Sequence, residues 1–209
     1  MTVDGVVVRE PGVRFGEDVV VRVHGRRVAA AERKRTIVLN KPVGVLSTMS
    51  DPFGGETVAA LVRTPARLVP VGRLDRDSEG LLLMSNDGDL VNRLTHPRFE
   101  HRKTYIVRTA GRWSEEKLSV LRSPLVLDDG YTIRPVPVEV LRAQPDNTQL
   151  LKFVLREGRK RQIRKMCSAA HLVVLSLRRV AIGDFELPED LAPGKWRDLS
   201  GDEIAALFR

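Results

Sequence analysis

The 209-residue sequence predicts an α+β fold built on an antiparallel-rich sheet. Strand-like apolar runs outnumber helical stripes, and the two do not alternate regularly as a doubly wound sheet requires. The composition, 42% hydrophobic and 30% charged, is that of a folded chain rather than a disordered one. A chain of this length buries roughly 70% of its unfolded surface, so no disulfide or metal is required to hold it together. A single cysteine, Cys167, excludes a disulfide framework and a multi-cysteine zinc site, and makes the cytoplasm the expected compartment.

The elements follow in chain order. Val6, Val7 and Val8 before the turn Pro11-Gly12, and the apolar run Val19 to Val23 before His24-Gly25, read as strands. The small and charged stretch Ala29 to Arg35 reads as a linker. Thirty residues are too few for a core of their own, so a boundary is placed near Arg33, dividing the chain into 1–32 and 33–209. Ile37 to Leu39 reads as a strand ending in Asn40-Lys41-Pro42, and Gly80 to Ser85 as a buried strand ending at the turn Asn86-Asp87-Gly88. A helix through Leu90 and Leu94 stops before Pro97, and Tyr105 to Thr109 is a strand. Ser114 followed by Glu115 and Glu116 opens a helix over 114–122. Leu151, Phe153 and Leu155 alternate with Lys152, Val154 and Arg156, as in a half-buried strand. Ile163, Met166, Cys167 and Ala170 fall at i, i+3, i+4 and i+7, the apolar stripe of a helix. Strand material over 172–182 follows, and Ser200-Gly201-Asp202-Glu203 is a capping box opening a last helix through Ile204, Leu207 and Phe208.

Charge narrows the partner. There are 35 Lys+Arg against 27 Asp+Glu, a formal net charge of +8, with a pI of about 10.1. Excess cations neutralise phosphates and release their counterions, so a polyanion is expected. No run of about 18 apolar residues suggests a membrane span, and Met-Thr-Val-Asp-Gly lacks the pattern of a signal peptide. Only 5% of residues are aromatic, which argues against binding single strands chiefly by base stacking.

Two segments carry candidate chemistry. Val71 to Leu83 sets acidic side chains between Arg73 and Arg76, directly before a buried strand. The flanking arginines favour an ionised Asp75, and a held carboxylate suits a nucleophile or a base rather than a general acid. The same residues also fit an Asp-rich loop capping a strand, and spacing alone does not choose. Arg156 to Lys165 carries six basic residues in ten. Together with the N–H groups of the helix it opens, it makes an anion site suited to a phosphodiester backbone, although a solvated basic face reads the same way. His24, His96, His101 and His171 have no metal-type spacing and read as surface or capping residues. Ser47 and Ser85 have no nucleophile elbow, there is no Walker or dinucleotide fingerprint, and Cys167 sits on an apolar stripe as a core residue. Neither a metal nor a cofactor is expected.

Read together, the segments resemble the RsuA family of RNA pseudouridine synthases, which includes the RluB-type ribosomal RNA enzymes. The resemblance rests on Leu39-Asn-Lys-Pro-Val-Gly-Val-Leu-Ser-Thr48, Gly72-Arg-Leu-Asp-Arg-Asp-Ser-Glu-Gly-Leu-Leu-Leu83, Asn86-Asp-Gly88 and Lys103-Thr-Tyr105. Glu157-Gly-Arg-Lys-Arg-Gln-Ile-Arg-Lys-Met166 and Gly194-Lys-Trp-Arg-Asp-Leu199 complete it, all in the family's order and spanning residues 37–199. Ser78 and Ser85 stand where many relatives carry threonine. Val3-Asp4-Gly5 through His24-Gly25 resembles the second half of an S-four-type RNA-binding domain, without a counterpart of that domain's two leading basic helices.

The resemblance implies a bent mixed sheet with flanking helices and a central cleft, preceded by a small β-rich remnant. It implies cofactor-free isomerisation of a uridine in ribosomal RNA, large subunit favoured over small, by a monomer working on ribosomal RNA or a ribosome-assembly particle and on no membrane. Asp75 would be the nucleophile, whether by attacking the sugar or the base or by removing a sugar proton. Tyr105 would lie against the target base, Arg164 would pair with Asp75, and Arg73 would position the loop or the extruded nucleotide. Lys41, Lys103, Arg159, Arg161, Gln162 and Lys165 would contact the RNA, chiefly its backbone. The uridine would have to be flipped out, since its reacting atoms are inaccessible in a stacked helix. A non-catalytic RNA-binding or ribosome-assembly factor is the alternative, and Asp75, Tyr105 and Arg164 argue against it because binding alone needs no carboxylate among phosphates. A DNA-binding regulator is disfavoured by the lack of a helix-turn-helix signal.

Overall fold

The computed structural model describes residues 1–16, 19–28, 32–126, 130–143 and 146–209, in two compact units, Met1–Lys34 and Arg35–Arg209. Residues 29–31 of the expected linker lie outside the described residues. In the smaller unit, β1 (Thr2–Val3), β2 (Val6–Val7), β3 (Val21–Val23) and β4 (Arg26–Arg27) form an antiparallel sheet in the order β2-β1-β3-β4. Asp4 and Gly5, both at positive φ, make the tight turn between β1 and β2. The Asp4 carboxylate accepts from the Val20 N–H at 2.8 Å, tying that turn to the approach of β3.

The larger unit begins with β5 (Thr36–Lys41), α1 (Val58–Leu61), β6 (Val69–Val71), β7 (Glu79–Ser85) and α2 (Gly88–Thr95). After a 3-10 turn at Pro97–Phe99 come β8 (Lys103–Ala110), α3 (Glu115–Arg122), β9 (Leu125–Val126), β10 (Thr132–Ile133), β11 (Val138–Ala143) and β12 (Thr148–Leu155). The chain closes with α4 (Gln162–Ala169), β13 (Val173–Ile182), β14 (Phe185–Glu186), β15 (Trp196–Asp198) and α5 (Gly201–Ala206). The main sheet runs β11-β12-β8-β13-β7-β5-β15, with β14 on β13 and β6 on β7. It is mixed and mainly antiparallel, so the predicted α+β class holds.

Its parallel step joins β7 to β13 through two register pairs, Arg178 opposite Glu79 and Arg179 opposite Gly80. Gly80 has φ +100°, and a Cβ there would stand 2.3 Å from the Arg179 carbonyl oxygen, so only glycine lets the two halves of the sheet close. The continuous apolar runs of β5 and β7 follow from burial on both faces. Ile37, Leu39, Leu82 and Met84 face a core completed by α3 and α4, whereas Val38, Leu81 and Leu83 face a second core with Leu90 and Leu94 of α2 and Leu207 after α5. Ser114 caps α3 by accepting from Lys117 N–H at 3.3 Å, and the Ser200–Glu203 capping box is present on α5. Two short pieces with weak periodicity, α1 and β6, carry no local sequence signal, whereas β9 and β10 pair with each other antiparallel, Val126 opposite Thr132 and Leu125 opposite Ile133.

Candidate active site

Asp75 stands on a turn held from both sides. The Ser47 hydroxyl accepts from the Leu74 N–H at 3.1 Å and donates to the Leu74 carbonyl at 2.8 Å, fixing the backbone just before the carboxylate. The Ser78 N–H then donates to the Asp75 carbonyl at 3.1 Å, closing the turn. Gly44 N–H donates to the Arg76 carbonyl at 2.8 Å, and Arg76 Nε returns to the Gly44 carbonyl at 3.0 Å. From below, Lys41 Nζ donates to the carbonyls of Ser78 at 2.7 Å and Pro42 at 2.9 Å. Burial pushes the Lys41 ammonium down to about 8, against the pull of Asp75, Asp77 and Glu79.

The opposing wall is the basic segment that opens α4. Arg161 takes the left-handed conformation, φ 54° and ψ 29°, at the N-cap of α4. That conformation costs of order 1–3 kcal/mol for a non-glycine residue. Its guanidinium reaches Asp77 through two bonds, Nη1 to Oδ1 at 3.1 Å and Nη2 to Oδ2 at 2.9 Å, and stands 4.0 Å from Asp75 Oδ2. This hydrogen bond, with the added charge of Arg164, holds the Asp77 carboxyl below the usual range. Arg164 Nη2 donates to the Asp77 carbonyl at 2.8 Å and approaches Asp77 Oδ2 at 3.2 Å and Ser78 Oγ at 3.5 Å.

A second network holds the basic segment itself. Gln162 is buried; its Nε2 donates to Glu157 Oε1 at 3.1 Å, and its Oε1 accepts from the Arg159 N–H at 3.1 Å. Tyr131 donates to Glu157 Oε2 at 2.6 Å, and the Arg159 guanidinium lies 3.5 Å from the centre of the Tyr131 ring.

Between these walls lies a cleft of about 890 Å³. Asp75, Arg73, Tyr105, Arg159, Arg161, Gln162 and Arg164 line it, with Leu155 and Leu177 supplying apolar surface. The half-exposed Asp75 carboxylate therefore shares one concave site with a buried tyrosine and a row of cations. Such an arrangement can bind a phosphodiester on its walls and bring a nucleophilic oxygen to a sugar or base within.

Five expectations need correction. Arg164 meets Asp77, not Asp75, because the turn at 75–78 directs the carbonyl and carboxylate of residue 77 toward α4; Arg161 is the cation nearest Asp75. Lys41 is fully buried under the turn and cannot reach a phosphate. Lys103 is half-buried, donates to the His101 carbonyl at 3.1 Å, and is pushed down to about 8 by burial and then by Arg179; it lies off the cleft. Gln162 lines the cleft but spends its amide on Glu157 and Arg159. Lys165 is half-buried and also lies off the cleft lining.

Sequence reading missed Asp77, Ser47, Glu157 and Tyr131. Asp77 was legible as a second carboxylate between Arg76 and the basic helix. Tyr131 lies 26 residues from its partner Glu157, and no local pattern connects them.

Residues 35–169 match the family described as RNA pseudouridylate synthase. An RNA pseudouridine synthase of Aquifex aeolicus (strain VF5) is 39% identical over 210 residues, covering 99% of this chain and 83% of the relative. The ribosomal large subunit pseudouridine synthase B of Bacillus subtilis (strain 168) is 34% identical over 209 residues, covering 98% of this chain and 84% of the relative. A crystal structure of a pseudouridylate synthase superposes with a TM-score of 0.77 at 28% identity, covering 99% of this chain and 87% of the other. The sheet, the cleft and these similarities agree: the chain belongs to the RNA pseudouridylate synthases, enzymes that isomerise uridine in RNA to pseudouridine.

Proposed function

We propose that this enzyme isomerises one uridine of ribosomal RNA, in the large subunit, with Asp75 as the nucleophile and the target nucleotide flipped into the cleft. The observation that carries this reading is the shared cleft: the Asp75 carboxylate, the Tyr105 ring and the cations from Arg159 to Arg164 face one space. The reaction breaks the bond from the sugar C1′ to uracil N1, turns the base, and rejoins it from C1′ to C5, with the C5 proton lost and N1 protonated. Asp75 assists by attacking the sugar or the base, or by taking a sugar proton. Tyr105 lies against the base, and Arg73 at the rim steadies the extruded nucleotide. Arg159, Lys160 and Arg161 hold the backbone, while Arg164 acts on Asp75 at one remove by fixing Asp77 and Ser78.

The ribosomal target is supported by the Bacillus subtilis relative, which is named for the large subunit. The order of motifs across 37–199 supports placement near the RsuA and RluB type, acting as a cytoplasmic monomer. The strand-rich Met1–Lys34 unit, with exposed Arg22, Arg26 and Arg27, is read as part of an S-four-type RNA-binding domain. The test is pseudouridine mapping of ribosomal RNA from cells with and without the gene, complemented by wild type or Asp75→Asn. A single large-subunit site lost on deletion and restored only by wild type is the expected result. A lost site restored by Asp75→Asn removes Asp75 from the chemistry, and loss of no ribosomal site moves the target to another RNA.

A further inference from the structure

The loop joining β5 to α1 carries an apolar side chain that the fold leaves in solvent. Phe53 is 93% exposed, whereas Phe153 and Phe185 are buried at 0% and 5%, and Phe15, the next most exposed phenylalanine among the large exposed hydrophobics, reaches only 40%. The exposure belongs to a tightly held turn. Gly54 N–H donates to the Asp51 carbonyl at 3.3 Å, and Gly55 N–H donates to Asp51 Oδ2 at 2.7 Å. Pro52, with its fixed φ, occupies the second position of the turn, and Gly54 the left-handed one at φ +77°. Leu46 pairs with Thr57 at the base of the loop, and a Cβ on Gly55 would stand 2.9 Å from Leu46 Cδ1, so the returning strand packs closely on a cleft residue. Ser50 and Asp51, immediately before the turn, line the cleft with Asp75. Phe53 thus stands in solvent two residues beyond Asp51 of the cleft lining, and the other walls of that cleft carry Arg73, Arg159, Lys160 and Arg161.

An aromatic face held out beside a cationic cleft fits one ligand chemistry well: a nucleobase adjoining a phosphodiester that the cations hold. We infer that Phe53 is a base-stacking platform, on which a nucleotide neighbouring the one in the cleft rests its base. A uridine leaving its stack exposes the faces of its neighbours, and a ring at the rim covers one of them. The assignment depends on the cleft taking RNA, but not on which residue performs the chemistry.

The test reads binding. Because the ring is exposed, Phe53→Ala, Phe53→Leu and Phe53→Trp leave the turn and core untouched. Affinity is measured with a uridine-looped RNA hairpin, and inorganic polyphosphate serves as a base-free polyanion. We expect Phe53→Ala and Phe53→Leu to bind the hairpin about tenfold more weakly and polyphosphate as wild type does, while Phe53→Trp keeps its affinity. In Phe53→Trp, the added indole fluorescence, with the Trp113 and Trp196 signal of wild type subtracted, is quenched by the hairpin and not by polyphosphate. Unchanged hairpin affinity in Phe53→Ala, wild-type affinity in Phe53→Leu, or an unquenched indole at saturation each overturns the assignment. A wild type that stacks the hairpin while ribosomal mapping shows no lost site would count against the proposed target alone.

Discussion

The turn at Leu74–Ser78 and the basic segment at Arg156–Lys165 are both dense in charge, yet they divide their residues differently. In the turn, other parts of the chain do the holding: Ser47, Gly44 and Lys41 fix the backbone, and the Asp75 side chain is left half-exposed to act. In the basic segment the side chains themselves are the groups held. Glu157 and Gln162 bind each other, Arg159 lies on Tyr131, and Arg161 and Arg164 are committed to Asp77. An exposed carboxylate needs few neighbours of its own if its scaffold is rigid. A cationic wall made of long flexible side chains needs a partner for each, since each immobilised side chain costs up to about 2 kcal/mol of conformational entropy.

Changes at the two regions should therefore separate chemistry from order. The largest effect is expected from Asp75→Asn, which should lower kcat by about 10⁴-fold or more with fold and RNA affinity retained. Substantial residual turnover would deny the carboxylate its proposed role. Next, Arg164→Met should lower kcat by about 10²-fold with little change in KM, because it unfastens Asp77 and Ser78 and lets Asp75 drift. An equal rise in KM would instead make Arg164 an RNA contact. Gln162→Ala should cost about 1 kcal/mol in denaturant unfolding, since it leaves the part-buried Glu157 carboxylate and the Arg159 N–H without the buried amide that joins them, and should raise KM more than it lowers kcat. Wild-type stability would show that Glu157 and Arg159 find other partners.

A smaller effect is tied to pH. Lys41 titrates near 8 in the folded chain and 10.5 when unfolded, so between those values the unfolded state binds more protons. The Lys41 contribution therefore makes stability rise with pH through that window. Unfolding in guanidinium at pH 8 and pH 10 should show a more positive slope for wild type than for Lys41→Met; coincident slopes would mean that the ammonium is not desolvated beneath the turn. The smallest effect is expected at the exposed, cleft-lining Lys160, where Lys160→Ala should reduce the salt slope of RNA binding by about one, against no change for Lys41→Met.

Much of this arrangement was legible in the sequence. Continuous apolar runs announced β5 and β7, alternation announced β12, and an i, i+3, i+4, i+7 stripe announced α4, because burial imposes those periods directly. Asp75 stood out as a carboxylate flanked by arginines. The allocation of the cations was not legible. Lys41 was read as a backbone contact like the other cations, and only the fold shows its ammonium enclosed on the Ser78 and Pro42 carbonyls while Lys160 stays exposed. Nor does a string of letters reveal that Arg161 adopts a left-handed backbone, which turns its guanidinium toward Asp77.

The strand order also sets a timetable for synthesis. β5 is the first strand of the larger unit, and its outer edge is covered by β15, with Trp196 opposite Leu39 and Asp198 opposite Ile37. A chain emerging from the ribosome must therefore carry an open apolar strand edge from Lys41 until Trp196 appears, 196 − 41 = 155 residues later. At 5–20 residues per second this is roughly 8–30 s, during which neighbouring nascent chains can compete for the same edge. Three late residues thus decide whether an early strand matures or aggregates, and shortening the chain before Gly194 should be felt first as insolubility.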